Sequence, residues 1–224
     1  NQSSSQLTVE SLRARAGSMG SWLTEQFGIV PNISITDHDA DGVRLRAYRP
    51  LNLRVTDAPS PAIYHIHGGG MIMCSVESYD QRCAAYAHAT GFPVYSVDYR
   101  LAPEHPFPAQ IEDSFAAYTW LQRQSQILGI DPHRVALLGN SAGSGLAVGL
   151  AVKIIDESMT PPSCQVLIYP MLDDRNVTTK RGWEHVWFYW SFADNKVAWD
   201  AYLSGLPYGE QIPSYAAPAR ASDE

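Results

Sequence analysis

Val135-Ala-Leu-Leu-Gly139-Asn140-Ser141-Ala142-Gly143 joins an apolar strand-like run to a G-x-S-x-G turn, and the residues that follow, through Ile155, read as a helix. A strand that ends in this pentapeptide and turns straight into a helix lifts a serine hydroxyl above the end of a sheet; the small flanking residues let the backbone bend sharply. Ser141 is therefore the candidate nucleophile. The same residues also read as a plain glycine-rich strand-to-helix turn. A dinucleotide loop is a further reading, because Gly143-x-Gly145 follows a strand, but Val148 stands where that fingerprint requires Gly or Ala.

Upstream, His67-Gly68-Gly69-Gly70 follows a second apolar run, Ala62 to Ile66. Consecutive glycines let backbone N–H groups face a cavity, where they can stabilise the oxyanion formed from an ester carbonyl, and the N–H of Ala142 adds a donor. Losing one such donor typically costs about 10²–10³ in rate. His65 and His67 also read as a strand histidine pair or half a metal site, but no second His/Cys/Asp cluster has ligand spacing.

Around these motifs strand-like and helix-like runs alternate. Ile33 and Ile35, the Asp41-Gly42 turn, and Val43, Leu45 and Ala47 predict a hairpin. Strands are expected at 62–66, 93–98, 134–139 and 164–169, all buried, with helices around 77–90, at 111–121 and after Ser141. This order predicts an α/β fold with a largely parallel sheet. Leu7, Leu12, Met19, Trp22, Leu23 and Phe27 predict one or two short N-terminal helices. Between Arg175 and Leu206, Trp183, Trp187, Phe188, Trp190, Trp199 and Tyr202 recur at helical spacing without a strand, as in a lid, although most read equally well as core.

Composition excludes several classes. At 224 residues, 45% hydrophobic and 17% charged, the chain can bury a core, and 23 acidic against 16 basic residues give −7 with no basic stripe for nucleic acid. The least polar window, Ser141 to Ile155, holds Lys153 and three glycines and is too short for a bilayer core of roughly 30 Å. Cys74, Cys83 and Cys164 fit neither a disulfide framework nor a C-x-x-C site, so a reducing, cytoplasmic setting is the default. Asn32-Ile-Ser34 and Asn176-Val-Thr178 match glycosylation sequons, a pattern that arises often by chance.

His67-Gly-Gly-Gly70, Asp98-Tyr-Arg-Leu-Ala-Pro-Glu-His-Pro-Phe-Pro108, Gly139-Asn-Ser-Ala-Gly143 and Tyr169-Pro-Met-Leu-Asp-Asp174, in that order, resemble the hormone-sensitive-lipase-like (family IV) esterases of the α/β-hydrolase superfamily. The resemblance implies a mostly parallel sheet with helical cap segments, here residues 1–30 and 175–210 of a single domain spanning 1–224. It implies an oxyanion hole of Gly69, Gly70 and Ala142, and bracing roles for His67, Gly68, Asp98, Tyr99, Arg100, Glu104 and Asn140. Asn140 replaces the usual Asp of the family's elbow, and Ser144 a common Gly. The implied activity is hydrolysis of small or short-chain acyl esters, with secondary metabolism one setting. No cofactor or metal is implied, because the mechanism is covalent acyl transfer.

Family members carry their triad Asp and His on two strand–helix units after the region matched by Tyr215–Ala221. The expectation is thus a C-terminally truncated domain without triad Asp or His, whose exposed sheet edge invites self-association. His185 with Asp173 or Asp174 is a remote substitute for the missing pair. The rival reading is an inactive remnant or a small-molecule binder, as the gibberellin receptor is within the same broad family.

Overall fold

The structure, a computed structural model, describes residues 7–16, 28–51, 58–177, 190–206 and 211–221. Six strands, β1 (Ile33–Ala40), β2 (Val43–Pro50), β3 (Ser60–Ile66), β4 (Val94–Val97), β5 (Ile130–Asn140) and β6 (Cys164–Ile168), form one sheet in the order β1-β2-β4-β3-β5-β6. β4, β3, β5 and β6 are mutually parallel, and the β1–β2 hairpin joins β4 antiparallel. The hairpin turns at Asp41 and Gly42, whose φ of 58° and 89° suit a tight two-residue loop, and Asp39 Oδ1 accepts the Gly42 N–H at 2.6 Å.

Residues 9–16 form α1, followed by α2 (Asp80–Thr90), α3 (Ala109–Arg123), α4 (Ser125–Leu128), α5 (Ala142–Asp156) and α6 (Phe192–Tyr202). Strand alternation sends side chains to two cores. Ala62, Tyr64 and Ile66 of β3 pack with Tyr95, Val97 and Leu137 beneath α3 and α5, whereas Ile63, Val94 and Leu138 meet Cys83, Ala84 and Ala87 of α2. The result is a sheet covered by helices on both faces.

The predicted strands and helices appear, with one correction to the four buried strands. β3, β4 and the C-terminal half of β5 are buried, but β6 is exposed, with Val166 at 44% and Leu167 at 37%. Among the described residues it lies at the end of the sheet and pairs with β5 alone, so an apolar run that reads as interior has an uncovered edge. Of the expected N-terminal cap, α1 is described and buries Leu12; Met19, Trp22, Leu23 and Phe27 lie outside the described residues, as do Trp183, Trp187 and Phe188 of the expected second cap. Trp199 and Tyr202 of α6 belong to the main core.

Candidate active site

Strand register brings the motifs together. Ile66 is level with both Val97 and Gly139, and Asn140 with Ile168. The segments beginning at His67, Asp98, Ser141 and Tyr169 therefore leave neighbouring carboxyl ends of the parallel strands, the usual place for ligands in an open α/β sheet.

Ser141 has φ 54° and ψ −119°, a backbone conformation that costs a non-glycine residue about 1–3 kcal/mol. Its surroundings hold it there. The Ser141 N–H donates to Ile168 O at 2.9 Å, and Ser141 O accepts the N–H groups of Ser144 and Met171 at 3.0 and 3.1 Å. Ser144, a departure from the family pattern, uses its hydroxyl to donate to Ile168 O and to accept the Ile168 N–H, which ties α5 to the end of β6. Ala142 is the first residue of α5, so its N–H has no intrahelical acceptor.

The glycine loop lies directly alongside. A Cβ on Gly68 would stand 3.2 Å from Ser141 Cβ, one on Gly69 (φ 117°) would overlap Met73 O, and one on Gly70 (φ 62°) would stand 2.7 Å from the Trp190 ring. Only glycines fit there. The turn closes through Ile72 and Met73 N–H groups, both donating to Gly69 O at 3.1 Å. Ser141 opens into a cavity of about 280 Å³ lined by Tyr169 to Asp173, Asn176, Trp190 to Phe192 and Asn195. Trp190 Nε1–H donates to Asn195 Oδ1 at 3.0 Å, and the Asn195 amide donates to Asn176 O at 2.7 Å. The Asn195 side chain is thus engaged with its own wall rather than left to a ligand.

The bracing residues divide into two groups. His67 is fully buried and stacks on Tyr99 at 4.2 Å, while the Tyr99 hydroxyl donates to His67 O at 2.9 Å. Burial lowers the His67 pKa; Nδ1–H donates to Gly68 O, and Nε2 has no partner among the described residues. Asp98 accepts the Val76 N–H at 3.2 Å and faces Arg44, anchoring the far end of the glycine loop. Of the predicted nucleophile, oxyanion-hole and bracing residues, only Ser141 lines the cavity; Gly69, Gly70, Ala142 and the bracing residues lie behind its wall, with Arg100 and Glu104 turned to other partners. Arg100 forks onto Asp113 of α3, and Glu104 pairs with Arg13 of α1, which holds its carboxyl down at about 2.

Asn140 is buried beneath the elbow and joins a network that the sequence reading did not find. His65 Nε2–H donates to Asn140 Oδ1 at 3.0 Å, leaving Nδ1 to accept the Ser96 hydroxyl at 2.8 Å. Burial pushes the His65 pKa down to about 3, so the ring is neutral. Arg13 and Asn195 likewise escape the sequence reading and carry no local signal, whereas Trp190 is read as part of the aromatic stripe and Ser144 as a departure from the family pattern.

Among the described residues, no hydrogen bond reaches Ser141 Oγ, and no group of three or more His, Cys, Asp or Glu side chains could hold a metal. His185 lies outside the described residues. Both oxygens of Asp174 take the Arg220 guanidinium at 2.6 and 2.7 Å, and Asp173 pairs with Arg175.

A family model for the alpha/beta hydrolase fold matches residues 63–223, and the chain belongs to that family, in its hormone-sensitive-lipase-like esterase branch. Relatives include an ethyl acetate hydrolase of Pseudomonas putida, 37% identical over 64% of this chain and 45% of its own length. Hormone-sensitive lipase of Bos taurus is 33% identical over 57% of this chain and 18% of its own length. A solved bacterial heroin esterase has a TM-score of 0.83 at 33% identity, covering 96% of this chain and 71% of that one. The chain thus spans less than half the length of either curated relative. Among the described residues, no helix is long and apolar enough to cross a membrane.

Proposed function

We propose that the chain forms the nucleophile-bearing part of a serine carboxylic-ester hydrolase acting on small or short-chain acyl esters. The observation that carries this reading is Ser141, held at positive φ beside a glycine loop that admits no side chain and opening into a compact, largely apolar cavity. Ser141 Oγ attacks the ester carbonyl carbon, and the oxygen takes the electron pair as an oxyanion facing the N–H groups of Gly69, Gly70 and Ala142. The alcohol leaves with a proton, and water then hydrolyses the acyl-serine. His67, Gly68, Asp98, Tyr99 and Asn140 brace this geometry from beneath; Arg100 and Glu104 brace it from further away. The proton from Oγ has to pass through a general base to the leaving alcohol, and among the described residues no group bonds Oγ to take it.

Residues 1–30 and 175–210 are the cap segments of the same proposal. The open side of β6 offers a surface for self-association, and three free thiols favour a reducing, cytoplasmic setting.

The test is hydrolysis of p-nitrophenyl acetate and butyrate by the purified chain and by Ser141→Ala. Turnover that disappears with the substitution supports the hydrolase. Equal rates overturn it for this chain and favour the rival, a small-molecule binder, which has one observation behind it: the pocket is formed while no described group bonds Ser141 Oγ. Ester binding that survives Ser141→Ala without turnover would identify that binder.

A further inference from the structure

We propose that Arg13, on the N-terminal helix, is a positioning residue for the oxyanion donors, a role that rests on the ester-hydrolase reading above. Its guanidinium makes four hydrogen bonds. Nε–H donates to Ile72 O at 2.7 Å, Nη2–H to Ala102 O at 3.0 Å, and the remaining fork is taken by both Glu104 oxygens at 2.6 and 2.7 Å.

The path from Arg13 to the site runs through planar peptides. The Ile72 carbonyl and the Met73 N–H belong to one rigid unit, so fixing the carbonyl aims the N–H. That N–H donates to Gly69 O at 3.1 Å. Gly69 C=O and Gly70 N–H again share one unit and point in opposite directions, so holding the carbonyl from behind aims the Gly70 N–H forward. Two peptide planes therefore separate the guanidinium from a proposed oxyanion donor.

The neighbouring peptide is fixed in parallel. Ala102 N–H donates to Met71 O at 2.9 Å, and Met71 C=O shares its plane with the Ile72 N–H, the second donor to Gly69 O. Arg13 also grips Ala102 O, so one side chain steadies both routes. Two residues along, Arg15 pairs at 2.9 Å with Asp194, the buried capping carboxylate at the start of α6, just after Trp190 of the cavity wall. Helix α1 thus connects the oxyanion loop to the cap. A lysine lacks the planar fork and cannot reproduce this set of bonds.

The experiment compares the unaltered chain with Arg13→Gln and Arg13→Lys, using Arg123→Gln as a control that breaks a different exposed pair, Arg123–Asp41. Two quantities are read: amide hydrogen exchange at Ile72 and Met73, and kcat and KM on p-nitrophenyl butyrate per folded molecule. For Arg13→Gln the expected result is faster exchange at both amides and a kcat about tenfold lower with KM unchanged. Arg13→Lys should fall between, and the control should change neither. Unchanged exchange, or faster exchange with full kcat, overturns the proposal. Should Arg13→Gln fail to fold, Arg13→Lys carries both readouts. If the unaltered chain shows no Ser141-dependent turnover, the hydrolase reading fails, and exchange alone decides whether Arg13 holds the loop.

Discussion

Gly143 lies so close to Ile66 that a Cβ at position 143 would overlap the Ile66 carbonyl oxygen. The first turn of α5 can press on the end of β3 only because this residue has no side chain, and that contact sets the height of Ser141 over the sheet. Gly143→Ala is expected to cost about 1–3 kcal/mol by forcing backbone apart, read as a lower denaturant midpoint. An unchanged midpoint would show that helix and strand can separate freely.

The His65–Asn140 pair makes stability depend on pH. Burial lowers His65 from an ordinary 6.5 to about 3, and it lowers His67 as well. Below 6.5 the unfolded chain takes up protons that the folded chain refuses, so the stabilisation is complete above 6.5 and is lost as pH falls toward 3. His65 contributes a slope of up to about 1.4 kcal/mol per pH unit inside that window, and His67 acts in the same direction. Asp37 and Glu104, both held at about 2, add their loss only below their ordinary values of 3.8 and 4.5. Urea unfolding between pH 7 and 5 should therefore show an acid slope that His65→Gln reduces. A slope that survives the substitution intact would remove His65 from the account.

Trp190 forms a cavity wall, and its ring rests on Gly70. Trp190→Ala should admit longer acyl chains. The ratio of p-nitrophenyl octanoate to acetate turnover is expected to rise about fourfold, which corresponds to one additional methylene of burial. A ratio that stays constant would place the acyl chain elsewhere.

The uncovered side of β6 should make the protein associate. Light scattering is expected to show mass rising with concentration, and Val166→Lys should suppress the rise by putting a charge on the open strand. A monomer at all concentrations before substitution would count against this surface.

The parts of the fold legible in the sequence are those that local backbone geometry dictates. Asp41-Gly42 announces its turn because both residues accept positive φ, and the Ser141 elbow and the Gly68–Gly70 loop announce themselves because their neighbours leave no room for a Cβ. What escaped depends on distant partners. Arg13 binds groups 59 to 91 residues away, two of them backbone carbonyls that carry no side-chain signature. The His65 tautomer depends on Ser96 from the adjacent strand and on Asn140, 75 residues onward. The exposure of β6 is not legible in Cys164-Gln-Val-Leu-Ile168 itself, which reads the same whether its strand is covered or bare; the open edge is expected only from the family resemblance.

Ser141 is bonded through its N–H to Ile168 and through its carbonyl to Met171, the residues on either side of the Tyr169–Pro170 bend in the cavity floor. On the ester-hydrolase proposal, a ligand leaning on that floor bears on the same short strip of main chain that aims the attacking oxygen. Recognition and reaction would then be mechanically one part, and substitutions at 169–171 that alter how tightly a molecule is held are expected also to shift how fast it is transformed.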